Sequence, residues 1–97
     1  MATQGTAVLD FGAFPGASDT AVTVTGQGAI TGTSFVEAWL VPTATADHSA
    51  DEHIVENIKV IAGNISAGTG FTIYGVNMGG GRDSRIYGQW SVSWVWV

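Results

Sequence analysis

The fold of this chain is decided by its C-terminal stretch, which reads Ser84-Arg85-Ile86-Tyr87-Gly88-Gln89-Trp90-Ser91-Val92-Ser93-Trp94-Val95-Trp96-Val97. Successive side chains of a β-strand point to opposite faces, so its period-two alternation predicts a strand with one strongly apolar face. That face takes Ile86, Trp90, Val92, Trp94 and Trp96, and the other takes Tyr87, Gln89, Ser91, Ser93, Val95 and Val97. An edge strand this apolar would promote aggregation. We therefore expect this strand to lie centrally in its sheet.

The rest of the chain has the pattern of shorter strands separated by turns. Glycine is frequent, at 14 residues, and helix-favouring residues are scarce, which disfavours helices. The predicted strands are residues 6–11, 21–27, 34–41, 53–65, 71–77 and 86–97. Short strands at this spacing indicate an antiparallel sandwich or barrel. We expect one all-β domain over residues 1–97, a six-stranded antiparallel β-sandwich.

Composition limits the class of partner. Hydrophobic residues make up 45% of the chain and charged residues 11%, against an average charged fraction of about 25%. So little charge predicts that part of the surface is covered by copies of the same chain or by a larger assembly. The net charge of −5 argues against nucleic acid as a partner. The sequence shows neither a signal-peptide pattern nor an apolar run long enough for a membrane helix, so we expect neither.

Three short motifs carry a family resemblance. They are Leu9-Asp10-Phe11-Gly12, Lys59-Val60-Ile61-Ala62 followed by Thr69-Gly70-Phe71, and Ile86-Tyr87 followed by Ser91-Val92-Ser93-Trp94-Val95. In order, they resemble the opening strand, the fourth strand with its hairpin, and the last strand of the H-type lectins. The resemblance implies a six-stranded antiparallel sandwich that assembles as a trimer or a pair of trimers.

In that family an aromatic residue, a histidine and an arginine hold sugar at the subunit boundary. The matching region here, residues 77–83, contains neither Trp nor His, and Ala62-Gly63 stands where the arginine is expected. The resemblance therefore extends to the fold and not to the family's sugar site.

A second resemblance is to short proteins of tailed bacteriophages and prophages. It lies in two phrases, Thr45-Ala46-Asp47-His48-Ser49-Ala50-Asp51-Glu52-His53 and Gly68-Thr69-Gly70-Phe71-Thr72-Ile73-Tyr74. This resemblance implies a viral context, with the protein made in the host cytoplasm and localised in the virion.

One cluster offers metal-ligating groups: Asp47, His48, Asp51, Glu52, His53 and Glu56. Carboxylate oxygens suit Ca²⁺, and histidine with carboxylate suits Zn²⁺, but the spacing matches no dedicated motif. The favoured interpretation is a solvated acidic loop. The alternative is a metal site formed by Asp47, His48, Asp51 and His53, or by one histidine per subunit on a three-fold axis. No cofactor is expected otherwise.

The remaining candidate residues divide into ligand-binding and core groups. The candidates for binding a sugar are Tyr74, Asn77, Arg82 and Asp83. For Arg82, Asp83 and Arg85 the favoured interpretation is a charged hairpin that keeps a glycine-rich tip soluble. We expect core or interface positions for Trp39, Phe71, Trp90, Trp94 and Trp96.

Nothing in the sequence marks a serine nucleophile with its base, or a carboxylate pair flanking a cleft. The sequence therefore predicts no enzyme activity.

Together these features predict a non-enzymatic bacteriophage structural protein that decorates or cements the capsid or forms a small fibre or tail module. The expected partners are copies of the same chain, as a homotrimer or dimer of trimers, and other virion proteins. The alternative function is a receptor-binding lectin module for a cell-surface glycan. A third alternative is an isolated domain with no ligand of its own. Neither nucleic acid nor membrane is an expected partner.

Overall fold

The computed structural model describes residues 2–79 and 85–97, which form two small antiparallel sheets. The elements in chain order are β1 (Thr3–Asp10), β2 (Asp19–Val24), β3 (Val36–Leu40), α1 (Ala50–Val55), β4 (Ile58–Ser66), β5 (Gly70–Asn77) and β6 (Gln89–Trp96). The first sheet has the strand order β1-β6-β3 and the second has the order β2-β5-β4. All four strand pairs are antiparallel. The expected all-β, six-stranded antiparallel architecture is therefore confirmed.

Strand β6 occupies the centre of the first sheet, between β1 and β3. Its alternation is regular: Trp90, Val92, Trp94 and Trp96 are all buried, and the residues between them are partly exposed. Both the central position and the inward face agree with the prediction from the sequence. Ile86 lies outside the strand, where it forms an isolated bridge with Ala17.

The core lies between the inner faces of the two sheets. The first sheet contributes Leu9 from β1 and the tryptophans of β6, and the second contributes Phe71 and Ile73 from β5. Phe71 meets Trp94 edge to face, with ring centroids 5.3 Å apart, a favoured aromatic geometry. At Gly75 a Cβ atom would lie 2.7 Å from Leu9 Cδ1. A side chain at this position would therefore have to displace the buried Leu9 side chain.

Residues 50–55 form a helix, which corrects the prediction of one long strand over residues 53–65. Ser49 is the N-cap: its Oγ accepts from the Glu52 N–H at 3.3 Å, and Glu52 Oε1 accepts from the Ser49 N–H at 3.0 Å. This reciprocal pair is a capping box. Ile54, which lies within the predicted strand, is a helical residue and is exposed.

Other strand limits differ from the expected ones by a few residues. β1 begins at Thr3, β2 ends at Val24, and β6 begins at Gln89. Gly26 adopts a positive φ of 77°, which ends the extended backbone after β2. Among residues 2–79 and 85–97, no helix has the length and hydropathy required to cross a membrane.

Candidate functional site

Polar side chains from residues 43–57 cover the first half of β6, where β3 no longer runs beside it. The backbone groups of Gln89 and Ser91 on this side need other hydrogen-bond partners. The Ser91 N–H donates to His53 Nε2 at 2.9 Å, and the Gln89 N–H donates to Asp47 Oδ2 at 2.8 Å. The Gln89 carbonyl accepts from Thr45 Oγ1 at 2.7 Å. Side chains thus replace a neighbouring strand and protect this edge.

His53 is buried and fixes helix α1 to β6. Its Nδ1 lies 2.8 Å from the Ser49 carbonyl oxygen, while its Nε2 accepts the hydrogen bond from Ser91. A nitrogen that accepts carries no proton, so His53 is the neutral tautomer protonated at Nδ1. Its ring also packs edge to face on Trp90, with centroids 4.9 Å apart.

His48 is also buried, but its partners differ. Its Nε2 lies 2.6 Å from the Tyr87 carbonyl oxygen and its Nδ1 lies 2.7 Å from Glu52 Oε2. A carbonyl oxygen and a carboxylate oxygen both accept hydrogen bonds, so each ring nitrogen of His48 faces an acceptor. The ring stacks on Trp90 with centroids 3.8 Å apart and planes 20° apart.

The surroundings of Glu52 favour the ionised form of its carboxyl group. The pKa of its carboxyl group is lowered, first by the hydrogen bond from the Ser49 backbone N–H and then by the hydrogen bond from His48. Both bonds favour the charged form. One half-exposed carboxylate therefore caps helix α1 and also contacts the buried His48 ring.

The residues of the predicted metal site make other contacts in this structure. All four ring nitrogens of His48 and His53 are hydrogen bonded within the chain. Asp47 binds the backbone of β6 and Asp51 is exposed on α1. In the part of the chain that the structure describes, no three histidine, aspartate or glutamate side chains are grouped to hold a metal ion. The other interpretation, a solvated acidic loop, fits the exposed acidic residues but not the two buried histidines.

A cleft of about 430 Å³ lies beside the histidine pair, between the turn that follows β1 and the start of β6. An aromatic pair flanks it: Phe14 and Tyr87 meet edge to face, with centroids 5.7 Å apart, and both are exposed. Asp10 and Asp47 bring carboxylates to the same lining. The aromatic faces can stack on a ring, and the carboxylates can accept hydrogen bonds from hydroxyl groups. We call this the aromatic cleft.

The aromatic cleft was missed in the sequence because its residues come from distant segments. Phe14 precedes Pro15 and Gly16, a combination that indicates a turn but does not show what the ring faces. Its contact with Tyr87 spans most of the chain and depends on the bridge between Ala17 and Ile86.

Two of the predicted sugar-binding residues, Tyr74 and Asn77, lie on opposite faces of β5. Tyr74 lies on the outer face, whereas Asn77 faces inward, is buried, and accepts a hydrogen bond from the Gly79 N–H at 3.1 Å. This is the arrangement expected for positions three apart on a strand. Arg82 and Asp83 lie outside the described residues.

The five predicted core or interface residues fall into two environments. Four are buried in the core: Phe71, Trp90, Trp94 and Trp96. Each buried indole N–H finds an acceptor: Trp90 uses the Tyr87 carbonyl, Trp94 the Thr6 carbonyl, and Trp96 the Gln27 side chain. Trp39, in contrast, lies on the outer face of β3 and is 44% exposed. Trp39 is therefore the one tryptophan of the four that is not buried.

Both sheets carry apolar groups on their outer faces. On the second sheet, three neighbouring residues are uncovered: Ile61 is 53% exposed, and Tyr74 and Val76 are each 37% exposed. On the first sheet, Phe35 and Val97 exchange backbone hydrogen bonds, and they line a cavity of about 450 Å³ with Val95. We call these surfaces the second-sheet face and the Phe35 patch.

Comparison with known proteins finds no matching family model, no matching curated protein and no matching solved structure.

Proposed function

We propose that this chain is a non-enzymatic structural subunit of a bacteriophage virion that assembles as a homotrimer. It would decorate or cement the capsid, or form a small fibre or tail module. The viral context rests on the sequence resemblance to phage proteins. The observation that carries the assembly is the pair of uncovered apolar surfaces, the second-sheet face and the Phe35 patch, on a chain with only 11% charged residues.

Apolar residues scattered singly over a surface are normal, but a contiguous group indicates a partner. Ile61 and Tyr74 are direct cross-strand neighbours, and Val76 is two residues further along β5. A closed ring of three subunits requires two different surfaces on each chain, because its contacts are head to tail. The Phe35 patch supplies one such surface without using the second-sheet face.

The test is the mass of the purified protein by sedimentation velocity. We expect a species of three times the 10.0 kDa chain mass. Phe35→Asp is expected to dissociate it. Phe14→Asp is the matched control, because Phe14 is 80% exposed and Phe35 is 78% exposed. A stable monomer would contradict the trimer, and equal dissociation by both variants would contradict the role of the Phe35 patch in it. Mass spectrometry of purified phage particles tests the virion assignment, which fails if the protein is absent from them.

A second candidate function is recognition of a cell-surface glycan, and the aromatic cleft is the observation that favours it. Sugar rings have apolar faces that stack on aromatic side chains, and their hydroxyl groups donate to carboxylates such as Asp10 and Asp47. A glycan array tests this function. We expect binding that is lost in Phe14→Ala and kept in the equally exposed control Phe35→Ala. Binding that survives Phe14→Ala would remove the cleft from consideration.

A further inference from the structure

We propose that the second-sheet face forms a two-fold contact with the same face of a second copy of this chain. The inference rests on the proposed self-assembly and deepens it, since the contact would join subunits in pairs. It would leave the Phe35 patch available for the trimer.

The outer side chains of the second sheet form three rows that run across β2, β5 and β4. The strand register gives the rows as Asp19-Val76-Lys59, Ala21-Tyr74-Ile61 and Thr23-Thr72-Gly63. In each row the residues on the two edge strands differ in kind. An acid lies across from a base, a small apolar residue across from a large one, and a threonine across from a glycine.

This pattern is self-complementary about one particular axis. When two copies face each other about a two-fold axis parallel to β5, β2 of one copy lies over β4 of the other, and the rows keep their level. Asp19 then faces Lys59 of the second copy, and Ala21 faces its Ile61. Each matched pair occurs twice, as in any contact about a two-fold axis.

The other two-fold arrangement fits poorly. An axis perpendicular to the strands places β4 over β4, where Lys59 meets no acid because β4 contains none. Within residues 2–79 and 85–97, neither Asp19 nor Lys59 forms a salt bridge. Both charges are therefore available to a partner, and together they select the axis parallel to β5.

The size of the face sets the strength of the contact. Three strands about 4.8 Å apart, each contributing about six residues of 3.4 Å, give a footprint of roughly 300 Å². Stable dimers bury about 800 Å² on each partner. The contact is therefore weak between single copies, and in an assembly it gains strength from avidity between linked copies.

The test is sedimentation equilibrium from about 1 μM to about 1 mM, the range in which weak contacts dissociate. We expect the mass of the wild-type species to double as concentration rises. Asp19→Lys and Lys59→Asp each place like charges opposite one another at two points, so each should raise the dissociation constant about tenfold or more. The double variant Asp19→Lys/Lys59→Asp restores opposite charges and should restore the doubling.

Asp51→Lys is the matched control, because it makes the same charge change on exposed helix α1 and should leave the doubling unchanged. Thermal melts of every variant confirm that each is folded. A wild-type species whose mass never doubles would overturn the two-fold contact. A double variant that associates no more tightly than the single variants would also overturn it. A monomer that doubles to a dimer would instead overturn the proposed trimer and keep the two-fold contact.

Discussion

Replacing His53 with alanine is expected to destabilise the fold by about 3–5 kcal/mol. The His53 ring is buried and joins helix α1 to β6 through one hydrogen bond at each nitrogen. Its acceptor Nε2 is the hydrogen-bond partner of the Ser91 N–H, because β3 has ended before this point. The substitution removes a backbone partner and opens a space beside Trp90.

The magnitude has two parts. Leaving the partners of His53 without hydrogen bonds costs about 1–3 kcal/mol. The space left by the ring adds roughly 2 kcal/mol, at the low end for large-to-small core substitutions. His53→Phe separates the parts, because it keeps a ring but removes both nitrogens, and it should show mainly the hydrogen-bond loss. Since small domains are stable by about 5–15 kcal/mol, the alanine variant is expected to be close to unfolding.

Urea denaturation followed by tryptophan fluorescence measures the effect, since Trp90 packs directly against His53. Asp51→Ala serves as the control, because Asp51 is an exposed residue of the same helix. A loss below about 1 kcal/mol for His53→Ala, the typical worth of one ordinary hydrogen bond, would refute the assigned role of the imidazole.

Two further predictions concern charge and packing. The folded-state pKa of Glu52 is lowered from its usual 4.5, so its contribution to stability is complete above that pH and is lost as the pH falls through the folded value. Urea titrations above and below pH 4.5 should show a smaller acid-induced loss in Glu52→Gln than in the wild type. Gly75→Ala pushes a methyl group into Leu9 and should cost about 1–3 kcal/mol. In the same assay, Gly63→Ala meets no atom within 4 Å and should be near neutral, and equal effects would contradict the close-packing argument.

Some features could be predicted from the sequence because they depend only on local geometry. Alternation along a strand fixes which side chains share a face, so the inward set of β6 followed from residue order. The same rule places Tyr74 and Asn77 on opposite faces of β5. The start of helix α1 was also encoded locally, in the spacing of Ser49 and Glu52, but the apolar residues that follow resemble a strand.

Tertiary structure decided the chemistry of the histidines. His48 and His53 lie in a polar, acidic segment, and such a segment is usually solvated. Their burial depends on contacts with Tyr87 and Ser91, nearly forty residues away. A histidine can donate, accept or carry charge, and its partners determine which of these it does. The sequence by itself determined that the tryptophans of β6 face one way, because that is a property of one strand. Only the folded chain decided which groups each histidine contacts, because those groups lie far apart in the sequence and are brought together by folding.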